Sequence, residues 1–247
     1  MVVSVPLRAT RAAPVHGRPP WPRSGPDPAP LPGVCQVWWA RPGDVRPEHD
    51  ALLGEADLER RAQLAVPADR QRMTAGAVVA RLVLGTALGT PPADLRIVRT
   101  CPSCGSPHGR PRLAGAGGLE FSIASAGHCV AVAVLPGGVV GVAVEDHLRG
   151  AAEPAVPRVR RQAVLDATDQ GLDVPVEALV LTPPPVLHRH RQDPVWLRDL
   201  PAPPGFVAAL AGPGTAPDVL VHRDAGALLR QTSRRLSGAT TRSQRYP

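Results

Sequence analysis

Proline sets the limits of what this chain can fold. Nine prolines crowd residues 1–33, which show almost no apolar periodicity. Each proline removes a backbone donor and fixes φ, so no regular element propagates through that stretch. It reads as a disordered Pro/Arg-rich extension or an overlong translation start. From Val34 the prolines thin out, and Pro67, Pro91-Pro92 and Pro136 fall between apolar runs. There they start or end elements without interrupting them. The folded body is therefore expected over residues 34–228, followed by a basic disordered tail at 229–247.

Within that body, residues 35–39 suit a strand and Pro42-Gly43-Asp44 a turn. Residues 51–64 read as a helix stopped by Pro67. A second helix runs over 69–88 with Asp69 as N-cap and Gly89 as terminator; Val78, Val79, Leu82 and Leu84 mark its apolar face. Strands follow at 95–98, 121–123 and 129–135, and then at 139–144 beyond the turn Pro136-Gly137-Gly138. Residues 158–168 read as a helix closed near Gly171. Further strands are expected at 178–181, 195–197, 206–210 and 219–221. Two blocks of helix followed by strands predict an α+β (α/β) fold of two similar lobes, 34–138 and 139–228. The first lobe has two helices before its strands and the second only one.

All 28 basic residues are arginine, so no site here can use a lysine amine. The formal charge of +7 invites a nucleic-acid reading. Its distribution argues otherwise: residues 1–33 carry four Arg and one Asp, residues 229–247 carry five Arg and no acid, and the body between is close to neutral. Basic tails without interleaved aromatics imply weak polyanion contacts and no specific nucleic-acid groove. No apolar run nears the ~18 residues of a membrane span, and a continuous secretory apolar region is missing. Four cysteines, two of them close at Cys101 and Cys104, do not form a disulfide framework. A reducing cytoplasm is the simplest setting.

Several segments, in order, resemble the 4′-phosphopantetheinyl transferases of the surfactin-synthetase-activating type. His108-Gly109-Arg110-Pro111 is similar to that family's Gly-Lys-Pro segment, and Phe121-Ser122-Ile123-Ala124-Ser125-Ala126-Gly127 to its Phe-Asn-Ile-Ser-His-Ser-Gly. Gly141-Val142-Ala143-Val144-Glu145 stands where the family has Gly-Ile-Asp-Ile-Glu. Residues 158–168 resemble its Trp-x-x-Lys-Glu-Ala-x-x-Lys helix, and Leu197-Arg198-Asp199-Leu200 with Gly205-Phe206-Val207 its closing strands. The similarity spans about residues 34–228. It implies two lobes related by pseudo-twofold symmetry. It also implies a magnesium-dependent transfer of the phosphopantetheine arm of coenzyme A to a serine of an acyl- or peptidyl-carrier protein.

That chemistry needs oxygen ligands for a hard cation, a grip on phosphates, and a base. The resemblance assigns Glu145, Gln162 and Arg161 to the catalytic positions, with Glu145 as the metal ligand. Arg60, Arg72, Arg110 and Ser125 take the coenzyme contacts. Alternate strand residues share a face, so the family's Asp and Glu converge on one ion. Here the Asp position is Ala143 and the helix carboxylate is Gln162, while Asp146 points to the opposite face. Arginine stays protonated and cannot serve as base. Asp166 is a candidate proton acceptor or a solvated helix-face acid. The simultaneous replacements predict weak or absent transfer. The alternatives are a non-catalytic carrier-protein or coenzyme A binder, a different reaction in the same cleft, or a decayed product without function.

Two further expectations concern the body. Cys101, Cys104 and His108 resemble half a zinc knuckle, with Cys35, Cys129 or His128 as the fourth ligand. His188 and His190 read as solvated loop residues. Only twelve residues, 146–157, separate the Glu145 strand from the next helix, so the second lobe is expected to lack a helix that the family has. That shortening would leave Val140, Val142 and Val144 partly uncovered and call for a homodimer or a partner enzyme.

Overall fold

The computed structural model describes residues 30–101, 104–107, 109–115, 118–147, 154–169, 179–180, 186–188 and 191–243. The expected extension at 1–33 lies outside them up to residue 29. The chain opens with β1 (Val34–Ala40), in which Val37 and Trp39 face one side and Trp38 and Ala40 the other. Short 3-10 turns at Pro42–Asp44 and Pro47–Leu52 lead to α1 (Glu55–Gln63), so the single helix expected over 51–64 is split at Leu53-Gly54. The long helix α2 (Pro67–Leu88) starts on a proline at its first position. It ends on Gly89 at φ +62, a left-handed conformation that glycine adopts without cost.

Three short elements follow: a 3-10 turn at Pro92–Asp94, then β2 (Ile97–Val98) and β3 (Arg112–Leu113), which pair as a small ribbon. The hairpin β4 (Leu119–Ala126) and β5 (Cys129–Pro136) leads to β6 (Gly141–Asp146) and α3 (Ala155–Thr168). Then come β7 (Leu179–Val180), β8 (Val186–His188), β9 (Arg191–Leu200), β10 (Phe206–Pro213), β11 (Val219–Asp224) and α4 (Ala225–Ser243). His188 therefore ends a short strand; His190 lies outside the described residues. The main sheets have the orders β11-β1-β5-β4 and β6-β10-β9-β8-β7. The fold is mixed α+β, with four α-helices and three sheets among the described residues.

The layers run helix, sheet, sheet, helix. Outside the first sheet, α2 packs on Trp38, Phe121, Val130, Val132 and Val134. Between the sheets, Val37, Trp39, Ala131 and Ala133 meet Val142, Val144, Ala208 and Leu210. Outside the second sheet, α3 sets Val159, Ala163 and Val164 against Ala143, Ala209 and Ala211.

Two expectations are corrected here. Val140, Val142 and Val144 are 0 %, 0 % and 7 % exposed: the first sheet covers the face on which they lie, and α3 covers the reverse face. The shortened connection thus leaves no apolar face of β6 that calls for a partner. The tail expected to be disordered from residue 229 is helical through Ser243, anchored by fully buried Ala225 and Leu229. His49, also fully buried, accepts the Arg46 N–H on Nδ1 at 2.8 Å. Its Nε2 therefore carries the proton and donates to the Leu229 carbonyl at 3.0 Å.

Candidate functional site

Edge strand β4 of the first sheet lies beside edge strand β6 of the second. The buried Val142 N–H donates to Ser122 Oγ at 3.1 Å, and the turn at Gly127 comes up against Phe206 and Asp146. Helix α3 lies across the outer face of β6. The seam of β4, β6 and α3 gathers most of the residues singled out from the sequence.

Glu145 and Ala143 share the face of β6 that looks toward α3, as alternate strand residues must, while Asp146 lies on the other side near Gly127. Glu145 meets a cation supplied by the chain. Arg158, in the first turn of α3, donates to its Oε2 from Nη2 at 2.6 Å and from Nε at 3.0 Å. One turn further, Gln162 donates from Nε2 to Asp166 Oδ1 at 2.8 Å. Arg161 lies on the same helix, half-buried.

Arg110 enters from the other side of the seam. Its side chain is 6 % exposed and donates to Glu120 Oε2 at 2.7 Å, while its Nε is buried without a hydrogen-bond partner. Burial pulls its pKa down, partly offset by Glu120 and by Asp166. Burial likewise pushes the Asp166 carboxyl up to about 6, against the opposing pull of Gln162 and Arg110. Arg112 pairs with Asp169, the residue that closes α3 in a left-handed conformation, and ties the β3 ribbon to the helix end. At the far end of β4, Arg72 pairs with Asp69 and donates to the Gly127 carbonyl at 3.3 Å, and Ser125 is exposed. Arg60 does not join the seam; it lines a separate pocket with Arg99.

The metal expectations are corrected by this geometry. Among the described residues, no group of three or more His, Cys, Asp or Glu side chains is placed to hold a metal ion. At the expected zinc knuckle, Cys101 is buried and Cys104 exposed, and the chain closes there through hydrogen bonds from Cys101 N to Ser106 O and from Gly105 N to Cys101 O. His108 lies outside the described residues. Cys35 and Cys129, considered as further ligands, are buried thiols pushed up to about 12, far from the thiolate a zinc site needs. His128 packs edge-on against Phe206. The residues at Glu145 do not fit magnesium either. Ala143 offers no oxygen donor, and the Glu145 carboxylate is held by a guanidinium.

Comparison of the sequence with protein-family models and with curated proteins gives no match. None of the described helices is long and apolar enough to cross a membrane.

Sequence reasoning reached Glu145, Gln162, Arg110 and Asp166 individually but missed the Arg158–Glu145 fork and the Arg112–Asp169 pair. Both depend on how α3 is laid over β6 and β3, which no local pattern encodes.

Asp166 has a consequence for stability. Its carboxyl binds a proton more tightly folded, near pH 6, than at its ordinary value of 3.8. The folded state therefore holds more protons between about pH 4 and 6, and the stability that this provides is lost as pH rises through that window. Asp166→Asn keeps an acceptor for Gln162 and removes the charge. It should melt higher than wild type at neutral pH, by about 1 kcal/mol after allowance for partial exposure, and no higher near pH 4. Thermal melts across the window check this; equal gains at both ends would show that Asp166 is not the titrating group.

Proposed function

We propose that this chain is a non-catalytic relative of the phosphopantetheinyl transferases that binds an acyl- or peptidyl-carrier protein along the β4–β6–α3 seam without a metal ion. The observation that carries the reading is the fork between Arg158 and Glu145. Where the resemblance implies a divalent cation held by carboxylates, a guanidinium of the chain itself neutralises the remaining carboxylate. A built-in cation can preserve the local charge balance and shape of the seam, but it offers no open coordination position for a diphosphate.

The arrangement of elements supports the two-lobe part of the reading. Strand β1, helix α2 and strands β4 and β5 are laid out as β1-β5-β4. Strand β6, helix α3 and strands β9 and β10 are laid out as β6-β10-β9. In each unit the last strand is central and antiparallel to both neighbours, and the helix packs on the outer face. Such a repeat fits two lobes related by pseudo-twofold symmetry, with the seam between their edge strands. The arginines of the seam are matched within the chain, Arg72 by Asp69, Arg110 by Glu120, Arg112 by Asp169 and Arg158 by Glu145, so carrier binding there is proposed from the resemblance and not from a surplus of positive charge.

Two measurements test the reading together. Incubation with coenzyme A, magnesium and apo carrier protein should give no holo carrier by mass spectrometry. Titration calorimetry in EDTA should show carrier binding that magnesium does not improve. Efficient conversion to holo carrier, or failure to bind any carrier protein, overturns it.

A further inference from the structure

Cys101 and Cys104 stand at the tip of the ribbon that carries Arg110 and Arg112 into the seam. The ribbon is closed rung by rung. Ile97 pairs with Leu113 and Val98 with Arg112. The Ala114 N–H donates to the Arg96 carbonyl at 2.8 Å and the Gly109 N–H to the Arg99 carbonyl at 3.1 Å. Beyond these, the Cys101 N–H donates to the Ser106 carbonyl and the Gly105 N–H to the Cys101 carbonyl, both at 2.9 Å. This last bond links residues four apart, as in one turn of an α-helix, where Cα atoms three apart stand about 5 Å from one another. A disulfide needs a separation of roughly 4.4–6.8 Å. Both residues are thiols; Cys101 is 8 % exposed and Cys104 is open to solvent. The other two cysteines differ in kind: Cys35 and Cys129 lie in the core between the sheets, where burial pushes both thiols up to about 12.

We infer that Cys101 and Cys104 form a reversible disulfide, a redox switch that locks the tip of the ribbon and with it the placement of Arg110 and Arg112. The oxidant is a low-molecular-weight disulfide such as glutathione disulfide. The Cys104 thiolate, reachable from solvent, attacks one of its sulfurs and expels one thiolate. The Cys101 thiolate then attacks the Cys104 sulfur and expels the glutathione bound there. The two cysteine thiols lose two protons and two electrons, and one glutathione disulfide becomes two glutathione thiols. The returning strand of the ribbon is pressed against Cys101: a Cβ on Gly109 would fall 2.3 Å from the Thr100 carbonyl oxygen and 2.7 Å from Cys101 N. The next residue is Arg110, whose buried guanidinium donates to Glu120 at 2.7 Å, and two residues on Arg112 pairs with Asp169. A covalent bond at the tip therefore restrains the segment from which both arginines reach the seam. With one sulfur exposed, such a bond is of the labile, regulatory kind. The switch does not rest on carrier binding at the seam, and either proposal can fail without the other.

The test equilibrates the full chain with mixtures of reduced and oxidised glutathione, blocks the remaining thiols, and reads intact mass and peptide map. Oxidising mixtures should remove two hydrogens per chain, the bond should map to Cys101 and Cys104, and dithiothreitol should reverse it. Amide hydrogen exchange over residues 109–113 should slow about tenfold in the oxidised form, the scale of closing a short loop. Cys104→Ser, a change at an exposed position, should form no bond within the chain and show no slowing in the same mixtures. Cys101→Ser should stop at a glutathione adduct on Cys104; should that variant not fold, Cys104→Ser alone decides. A wild-type chain that stays reduced, keeps a glutathione adduct on Cys104, links to a second chain, or shows unchanged exchange after oxidation overturns the inference.

Discussion

Replacing Arg81 by Ala should abolish cooperative folding or lower the midpoint more than any other single change on α2. Arg81 is 2 % exposed, and its guanidinium joins three separate segments. Nε donates to Asp57 of α1 at 2.5 Å, and Nη1 donates to the carbonyls of Pro92 at 2.8 Å and Leu95 at 2.9 Å. Its Nη2 lies against Gly54, where an added Cβ would fall 2.4 Å away. Removing the arginine leaves Asp57 as a buried carboxylate without its partner and strips two carbonyls of their donor. Breaking a buried pair from one side costs about 3–5 kcal/mol, a large share of the roughly 5–15 kcal/mol that holds a domain together. The double variant Asp57→Leu with Arg81→Met removes both charges and should recover much of that loss. Urea melts followed by circular dichroism decide the matter. An Arg81→Ala protein within about 1 kcal/mol of wild type would mean that the pair behaves as a solvated surface bridge.

Much of the fold was legible because its local signals agree with one another. The alternation from Cys35 to Trp39 gives β1 two buried faces, and the structure uses both. Gly89 ends α2 as expected, but the helix starts earlier than expected: Val66 is the N-cap and Pro67 the first helical residue, so Asp69, expected to cap the helix, lies inside its first turn. Helix α3, read from residue 158, starts three residues earlier at Ala155, because a proline inside the first turn does not stop a helix. The failures have physical causes as well. Charge outweighed spacing in the C-terminal segment: Ala225, Leu228, Leu229 and Leu236 recur at helical intervals, yet the arginines between them suggested a tail. The parallel pairing of β11 with β1 joins Val34 to Val219, and a contact that distant leaves no mark on either segment alone.

The site was legible residue by residue and illegible as a constellation. Glu145 and Ala143 were placed on one face by strand period alone, and they share it. What neutralises Glu145 depended on the position of α3 along β6, which brings Arg158 to one end and Asp166 toward Arg110 at the other. A missing helix predicts that Val140, Val142 and Val144 lie partly uncovered only if nothing else packs on their face. The first sheet packs there and covers them, a contact between distant segments that neither one's sequence displays.

The position of α3 rests on Gly141, and Gly141→Ala is expected to be the most damaging change on β6. A Cβ there would fall 2.3 Å from the Ala163 carbonyl oxygen, 2.4 Å from Ala167 N and 3.0 Å from Ala167 Cα. These are helix backbone atoms, so no rotamer change relieves the clash, and α3 must move off the strand. Ala163 and Ala167 are themselves 0 % and 3 % exposed, so small residues on both elements set how closely the helix approaches. Overpacking of this kind costs about 1–3 kcal/mol, occasionally more. Gly141→Val, with two further methyl groups at the same contact, should not fold. The comparison that isolates the contact is Gly137→Ala. That residue sits at φ +74 with nothing within 4 Å of an added Cβ, so alanine there costs backbone strain alone, about 1 kcal/mol. If Gly141→Ala loses no more than Gly137→Ala in denaturant melts, the helix has room to give. If it loses more, the seam should loosen with it: Arg158 is carried on α3 and Glu145 on β6, so the fork between them lengthens as the two elements part.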